Sequence, residues 1–166
     1  MGEHTVMCKD GAQWLYRLEN NYSWQSPFRL ERDWAFQDRR GHTRLVLTAG
    51  GEITVIKGYA WDGCTPKICL FDILLGTPDG VVYLPTGKPK TYYASLVHDA
   101  LCQFLPDALP LSRAQADRCF LMLMQQHKFA PRYVYYAAVR AFGWLTQPLT
   151  RRVRNTYEGR RIDCSI

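Results

Sequence analysis

Two stretches decide how this chain folds: TYYASLVHDALCQFL at 91–105 and SRAQADRCFLMLMQQHK at 112–128. Each repeats apolar residues at the three-and-four spacing of an amphipathic helix. In the first, His98 shares a face with Ala94, Leu101, Cys102 and Leu105; in the second, Asp117 shares one with Ala114, Phe120, Leu121 and Met124. Both polar residues therefore stand where the pattern asks for core. Burying a neutral polar group without a partner costs about 2–7 kcal/mol, and a charge more, so the two are expected to satisfy each other. Only 106–111 separate the helices, which makes them antiparallel neighbours. At about 1.5 Å per residue, His98 lies roughly 10 Å back from the end of the first helix and Asp117 roughly 8 Å into the second. The matching heights predict a hydrogen bond between the His98 imidazole and the Asp117 carboxylate. Such a bond fixes the tautomer and makes the free ring nitrogen more basic. Asp99 is rotated from His98 by about 100° and falls beside the imidazole, a position suited to an acid that holds a cation next to a base. A buried structural network, with Asp99 simply solvated, is the plain alternative.

Working outward, Ser112 is a good N-cap for the second helix. Pro131 suits the first turn of a third, PRYVYYAAVRAFGWLTQ, with Gly143 placed to weaken or end it. Upstream, Thr43 to Thr48 and Ile53 to Ala60 are rich in β-branched residues, and Ala49-Gly50-Gly51 supplies a turn, so this segment reads as a β-hairpin. Trp61 to Pro89 reads as a long loop with a short apolar turn near 68–75, and long loops in compact domains are often functional. The first forty residues or so mix short apolar runs with turn residues and read as strands or loops. The expected class is α+β: an N-terminal antiparallel hairpin or small sheet, a long loop, then three helices that include the antiparallel His-Asp pair. One domain is expected over 1–166, with 1–60 mainly β or irregular, 61–90 a functional loop, 91–148 helical and 149–166 a basic tail.

Composition narrows the function classes. With 166 residues and a formal net charge of +6, this is the make-up of an ordinary globular protein. Much of the basic excess sits in TRRVRNTYEGRR at 150–161, a stripe that could meet an acidic partner but reads first as a solvated segment. No nucleic-acid recognition motif is present. No apolar run reaches the roughly 18 residues of a membrane span, and MGEHTVMCKDGAQW lacks the apolar core of a secretory signal. The expectation is cytoplasmic synthesis, with delivery by another machine or incorporation into a virion as later fates. The six cysteines form no Cys-x-x-Cys pair and no zinc pattern, so free thiols are expected.

A second chemistry also fits the residues. Cys64 lies in Asp-Gly-Cys-Thr-Pro, within the loop that would face His98. Cys64, His98 and Asp117 would then form a thiol hydrolase set acting on peptide, amide or thioester bonds. A third reading is not enzymatic: His98, Asp99 and Asp117 brace the helix pair, and the aromatic N-terminal half contacts a protein partner, as in a phage-type assembly component. Arg140 would either pair with a carboxylate of the helix core or bind an anionic head group. Asp72 and Asp79 are further oxygen donors in the long loop.

GYAWDGCTPK at 58–67, ASLVHDA at 94–100, RAQADRCF at 113–120 and YAAVRAFG at 136–143 occur in an order that resembles a family of bacterial, phage and prophage proteins, domain of unknown function thirteen fifty-three. That resemblance covers about half the chain and implies no particular activity. The His-Asp helix, its partner Asp and the glycine-containing loop are also similar, more distantly, to secreted-type phospholipases A2. That likeness implies a calcium-assisted ester hydrolase acting on lipid, in a housekeeping or a toxin-effector setting. His98 would be the base that activates water and Asp117 its orienting acid. Asp99 would be a calcium ligand, and Trp61, Asp62 and Gly63 would supply loop carbonyls. Calcium takes six to eight oxygen ligands and would polarise the ester carbonyl. Cys102 stands where the lipase helix has Tyr, the bracing disulfides are absent, and the stretch from the Asp-Gly loop to His98 is longer.

Overall fold

A computed structural model describes residues 6–7, 13–14, 16–63, 67–70, 73–76, 82–83, 87–105, 109–153 and 161–162, with side chains described over 16–63, 87–105 and 109–141 and at Gly143. In chain order the strands are β1 (Val6–Met7), β2 (Gln13–Trp14), β3 (Tyr16–Arg17), β4 (Tyr22–Gln25), β5 (Trp34–Gln37), β6 (Thr43–Leu47), β7 (Glu52–Val55), β8 (Ala60–Trp61), β9 (Lys67–Leu70), β10 (Ile73–Gly76), β11 (Val82–Tyr83) and β12 (Lys88–Pro89). Helices α1 (Tyr92–Phe104), α2 (Arg113–Gln126) and α3 (Arg132–Val153) follow, and β13 (Arg161–Ile162) comes last. The architecture is α+β, as the sequence leads one to expect: an antiparallel sheet of order β13-β5-β6-β7-β4, then three helices.

The expected hairpin is β6–β7. Its inward residues pair across the strands, Leu45 with Val55 and Leu47 with Ile53, and all four are buried. Full burial of such side chains is worth about 1.5–3 kcal/mol each. Gly51 makes the turn, with φ +93°, and a Cβ there would stand 2.5 Å from the Phe28 carbonyl oxygen. The second strand is shorter than its β-branched run. At Gly58, φ is +85°, the chain turns, and Ala60–Trp61 leaves to pair with β3 instead. A glycine in the left-handed region ended the strand where side-chain propensity alone would have continued it.

The stretch 61–90 is not plain loop. Ile68–Leu70 and Ile73–Leu75 face each other in the β9–β10 hairpin, and β11 pairs with β12. The short apolar run is thus a hairpin, because two apolar segments separated by two residues can share one ladder.

α1 lies on β6 and β7, with Phe104 5.5 Å from Phe36 ring to ring. Leu96, Val97, Ala100, Leu101 and Phe104 are buried and join the sheet residues in one core. α2 packs on α1, and α3 on α2. Ser112 caps α2 through a capping box: its hydroxyl accepts from the Gln115 backbone N–H while the Gln115 side chain accepts from the Ser112 N–H. α3 runs through Gly143 and reaches Val153, beyond the expected end. A mid-helix glycine costs about 1 kcal/mol relative to alanine, and the packing of α3 against α2 carries the helix past it.

Candidate active site

His98 and Asp117 meet as their helical heights require. His98 Nε2 lies 2.9 Å from Asp117 Oδ1, with His98 7% and Asp117 1% exposed. Asp117 has two more partners. Arg113, one turn earlier on α2, donates from Nε to the same oxygen at 2.9 Å. Arg140 of α3 donates from Nη1 to Oδ2 at 3.2 Å. One carboxylate therefore joins α1, α2 and α3. Burial works against the charge on Asp117, but the bonds from His98 and Arg113 outweigh it and hold the carboxyl below its ordinary range.

Burial also opposes a charge on His98. The Cys102 sulfur, Asp117 and Asp99 together overcome it and push the imidazole pKa well above its ordinary 6.5. Phe120 closes one side of the ring at 5.1 Å between centroids. Cys102, one turn along α1, places its sulfur 3.5 Å from Nε2 and 3.9 Å from Nδ1. Near-equal distances to both nitrogens mean that the thiol packs beside the ring rather than serving one nitrogen. Cys102 and Cys119 are free thiols, as expected.

The other ring nitrogen faces the acids. Asp99 Oδ1 is 3.8 Å from His98 Nδ1, too long for a hydrogen bond, and a quarter of the Asp99 side chain is exposed. Asp62 approaches from β8. Trp61 fixes that approach: it is buried, and its indole N–H donates to Ser95 Oγ at 3.2 Å, which in turn donates to the Tyr92 carbonyl. Burial first, then repulsion from Asp62, raises the Asp99 pKa. Asp62 Oδ1 is buried without a hydrogen-bond partner among the described residues. Gly63 is buried too, with φ +75°. Tyr59 extends this wall, donating its hydroxyl to Gln103 Oε1 at 2.9 Å.

The residues singled out in the sequence thus divide. His98, Asp117, Asp99 and Asp62 come together, with Trp61 as anchor and Gly63 next in the chain. Cys64, Asp72 and Asp79 lie outside the described residues. Among the described residues, no group of three or more His, Cys, Asp or Glu is placed to hold a metal. A cation here would meet the Asp99 carboxylate and the expected carbonyls of 61–63, to which the structure adds the Asp62 carboxylate. Their chemistry fits a hard cation, and the unpartnered buried oxygen of Asp62 is the observation in favour. Arg140 takes the carboxylate pairing of its two expected roles. His42 pairs at the surface with Asp38, and His127 stacks on Tyr93.

Two contributors escaped the sequence reading. Arg113 stands four residues before Asp117, the spacing of a helical ion pair. Gly143 faces Arg113: a Cβ there would come within 3.0 Å of Arg113 Nη2 and 3.1 Å of Cζ. The four-residue spacing to Asp117 was the available signal for Arg113, whereas no local spacing marks the approach of Gly143 to it.

Comparison with protein families matches residues 28–139 to the family described as "Protein of unknown function (DUF1353)". The chain belongs to that family. The DUF1353 match takes in the sheet strands β5–β7, Asp62, His98, Asp99, Arg113 and Asp117, and stops one residue before Arg140. No curated protein and no solved structure matches the chain. The phospholipase A2 likeness rests on the motif alone.

Proposed function

We propose that this chain is a hydrolase of phospholipase A2 type, in which His98 takes a proton from water attacking an ester, with lipid esters the first substrates to test. The observation that carries the reading is the division of labour around one imidazole. Nε2 is bound to the buried Asp117 at 2.9 Å, while Nδ1 lies 3.8 Å from Asp99, which has Asp62 as its own acidic neighbour. A ring held by one nitrogen can activate water at the other once it is neutral, so turnover is expected to rise as pH passes through the raised His98 pKa. Asp117 orients the ring and favours its charged form after proton transfer. Arg113 and Arg140 keep Asp117 ionised and fixed. Trp61 and Phe120 exclude bulk water from the sides of the site. Asp99 and Asp62 are the residues that would hold calcium. When bound there, the ion supplies polarisation of the ester carbonyl and stabilisation of developing negative charge.

Calcium calorimetry on the wild type and Asp99→Asn tests the cation, and hydrolysis of phospholipid and soluble esters by the wild type and His98→Gln tests the base. Saturable binding lost in Asp99→Asn, with turnover lost in His98→Gln, is the expected result. No calcium binding sinks the calcium-assisted mechanism. No turnover of any ester leaves His98 and Asp117 as a brace between helices. The thiol alternative turns on Cys64, which lies outside the described residues, and alkylation of the full chain tests it.

A further inference from the structure

We infer that Arg113 and Arg140, both anchored on Asp117, form a binding site for a phosphate group. Three cationic or potentially cationic groups converge on this one carboxylate: His98 and Arg113 on Oδ1, Arg140 on Oδ2. His98 has a second acid nearby, Asp99. Asp99 lies within electrostatic reach of Arg113 as well. Arg113 uses only Nε and Arg140 only Nη1 in the hydrogen bonds and ion pairs made among the described residues. That leaves both Nη atoms of Arg113, and Nε and Nη2 of Arg140, as donors without an acceptor. A guanidinium carries five N–H groups in a planar fork, and such forks match the oxygens of a phosphate.

Access and rigidity point the same way. The Arg113 side chain is 29% exposed and that of Arg140 48%, while the carboxylate that holds them is 1% exposed. The forks are therefore anchored from inside and open to solvent outside, so little side-chain freedom remains to be lost on binding. Gly143 is part of this construction. It leaves bare backbone beside the Arg113 head, where a Cβ would come 3.0–3.4 Å from Nη2, Cζ and Nε. Asp117 and Asp99 offset the two guanidinium charges, so an anion would be held by the unused N–H groups through charge-assisted hydrogen bonds rather than by net charge. This goes beyond the proposed hydrolase and does not rest on turnover. If that reading holds as well, the site would take an anionic part of the substrate beside Asp117.

Inorganic phosphate is the probe, titrated into the full chain at low ionic strength and followed by calorimetry and by the arginine Nε–H signals in NMR. Saturable binding is expected, with Arg140→Gln weakening it by about tenfold, the effect of removing one charge-assisted fork. Arg29→Gln removes the same charge from an exposed position elsewhere and should leave binding unchanged. Gly143→Ala, which crowds Arg113 without removing a charge, should also weaken it. His98→Gln should lose the proposed hydrolysis yet still bind phosphate, so failure of the hydrolase and failure of this site are told apart. Phosphatidylglycerol vesicles that bind and are displaced by phosphate would identify a lipid head group as the source. Displacement by a soluble phosphate ester, without vesicle binding, would identify a soluble one. Absence of phosphate binding to the wild type, or equal loss in Arg29→Gln and Arg140→Gln, overturns the inference.

Discussion

The β6–β7 hairpin and the Asp117 junction both hold this fold together, by opposite means. In the hairpin, Leu45, Leu47, Ile53 and Val55 are interchangeable in kind, since volume and apolar character are what the core asks of them. At the junction, Asp117 serves donors from α1, α2 and α3 with two oxygens, a role that volume and apolar character cannot fill. A core built from volume degrades gradually when trimmed. A core built around one acceptor fails as a unit, because every donor loses its partner together.

Substitution at the junction should therefore show the largest effect. Asp117→Ala leaves the buried His98 and two arginines without their shared acceptor and should cost about 4 kcal/mol in urea unfolding, the scale of breaking a buried pair from one side. Leu47→Ala should cost about 3 kcal/mol by cavity formation. If Leu47→Ala proves the more damaging of the two, the contrast drawn here is wrong. The pH dependence sharpens it further. Asp117 has a depressed carboxyl, so its contribution is present above the ordinary 3.8 and is lost as pH falls through the lowered native value. His98 has a raised imidazole pKa, so its contribution is complete below 6.5 and is lost as pH rises through the raised native value. Stability measured against pH should thus fall at both ends in Leu47→Ala as in the wild type, and lose its acid-side fall in part in Asp117→Ala. Ser112→Ala removes one half of the α2 capping box and should cost about 1 kcal/mol by thermal unfolding. Arg140→Gln is the smallest: its ion pair is half-exposed and screened, so its loss should cost no more than about 1 kcal/mol.

The helix pair was legible because two polar residues interrupted apolar stripes at matching heights, a pattern only mutual burial explains. Gly50-Gly51 marked the hairpin turn, and Ser112 marked the start of α2. The end of β7 was not legible, because propensity runs through Ile56 while the backbone turns at Gly58. Nor was the full set of partners on Asp117. His98 could be matched to it through a short connection, but Arg140 reaches it only through the packing of α3, which no local spacing specifies. The two hairpins within 61–90 were hidden for a related reason: glycine and proline at intervals signal turns without saying which flanking residues pair.

β13 carries a consequence for how the chain reaches this state. It pairs Arg161 with Phe36 and Ile162 with Ala35, residues more than a hundred positions apart. During synthesis the outer edge of β5 is made well before its partner, with all three helices in between. Until then that edge presents open backbone donors and acceptors, the kind of template on which another chain can add. Contacts so distant in sequence also slow folding, because a long loop must close before they form. The order of synthesis thus leaves the sheet with a temporarily sticky side that β13 later covers.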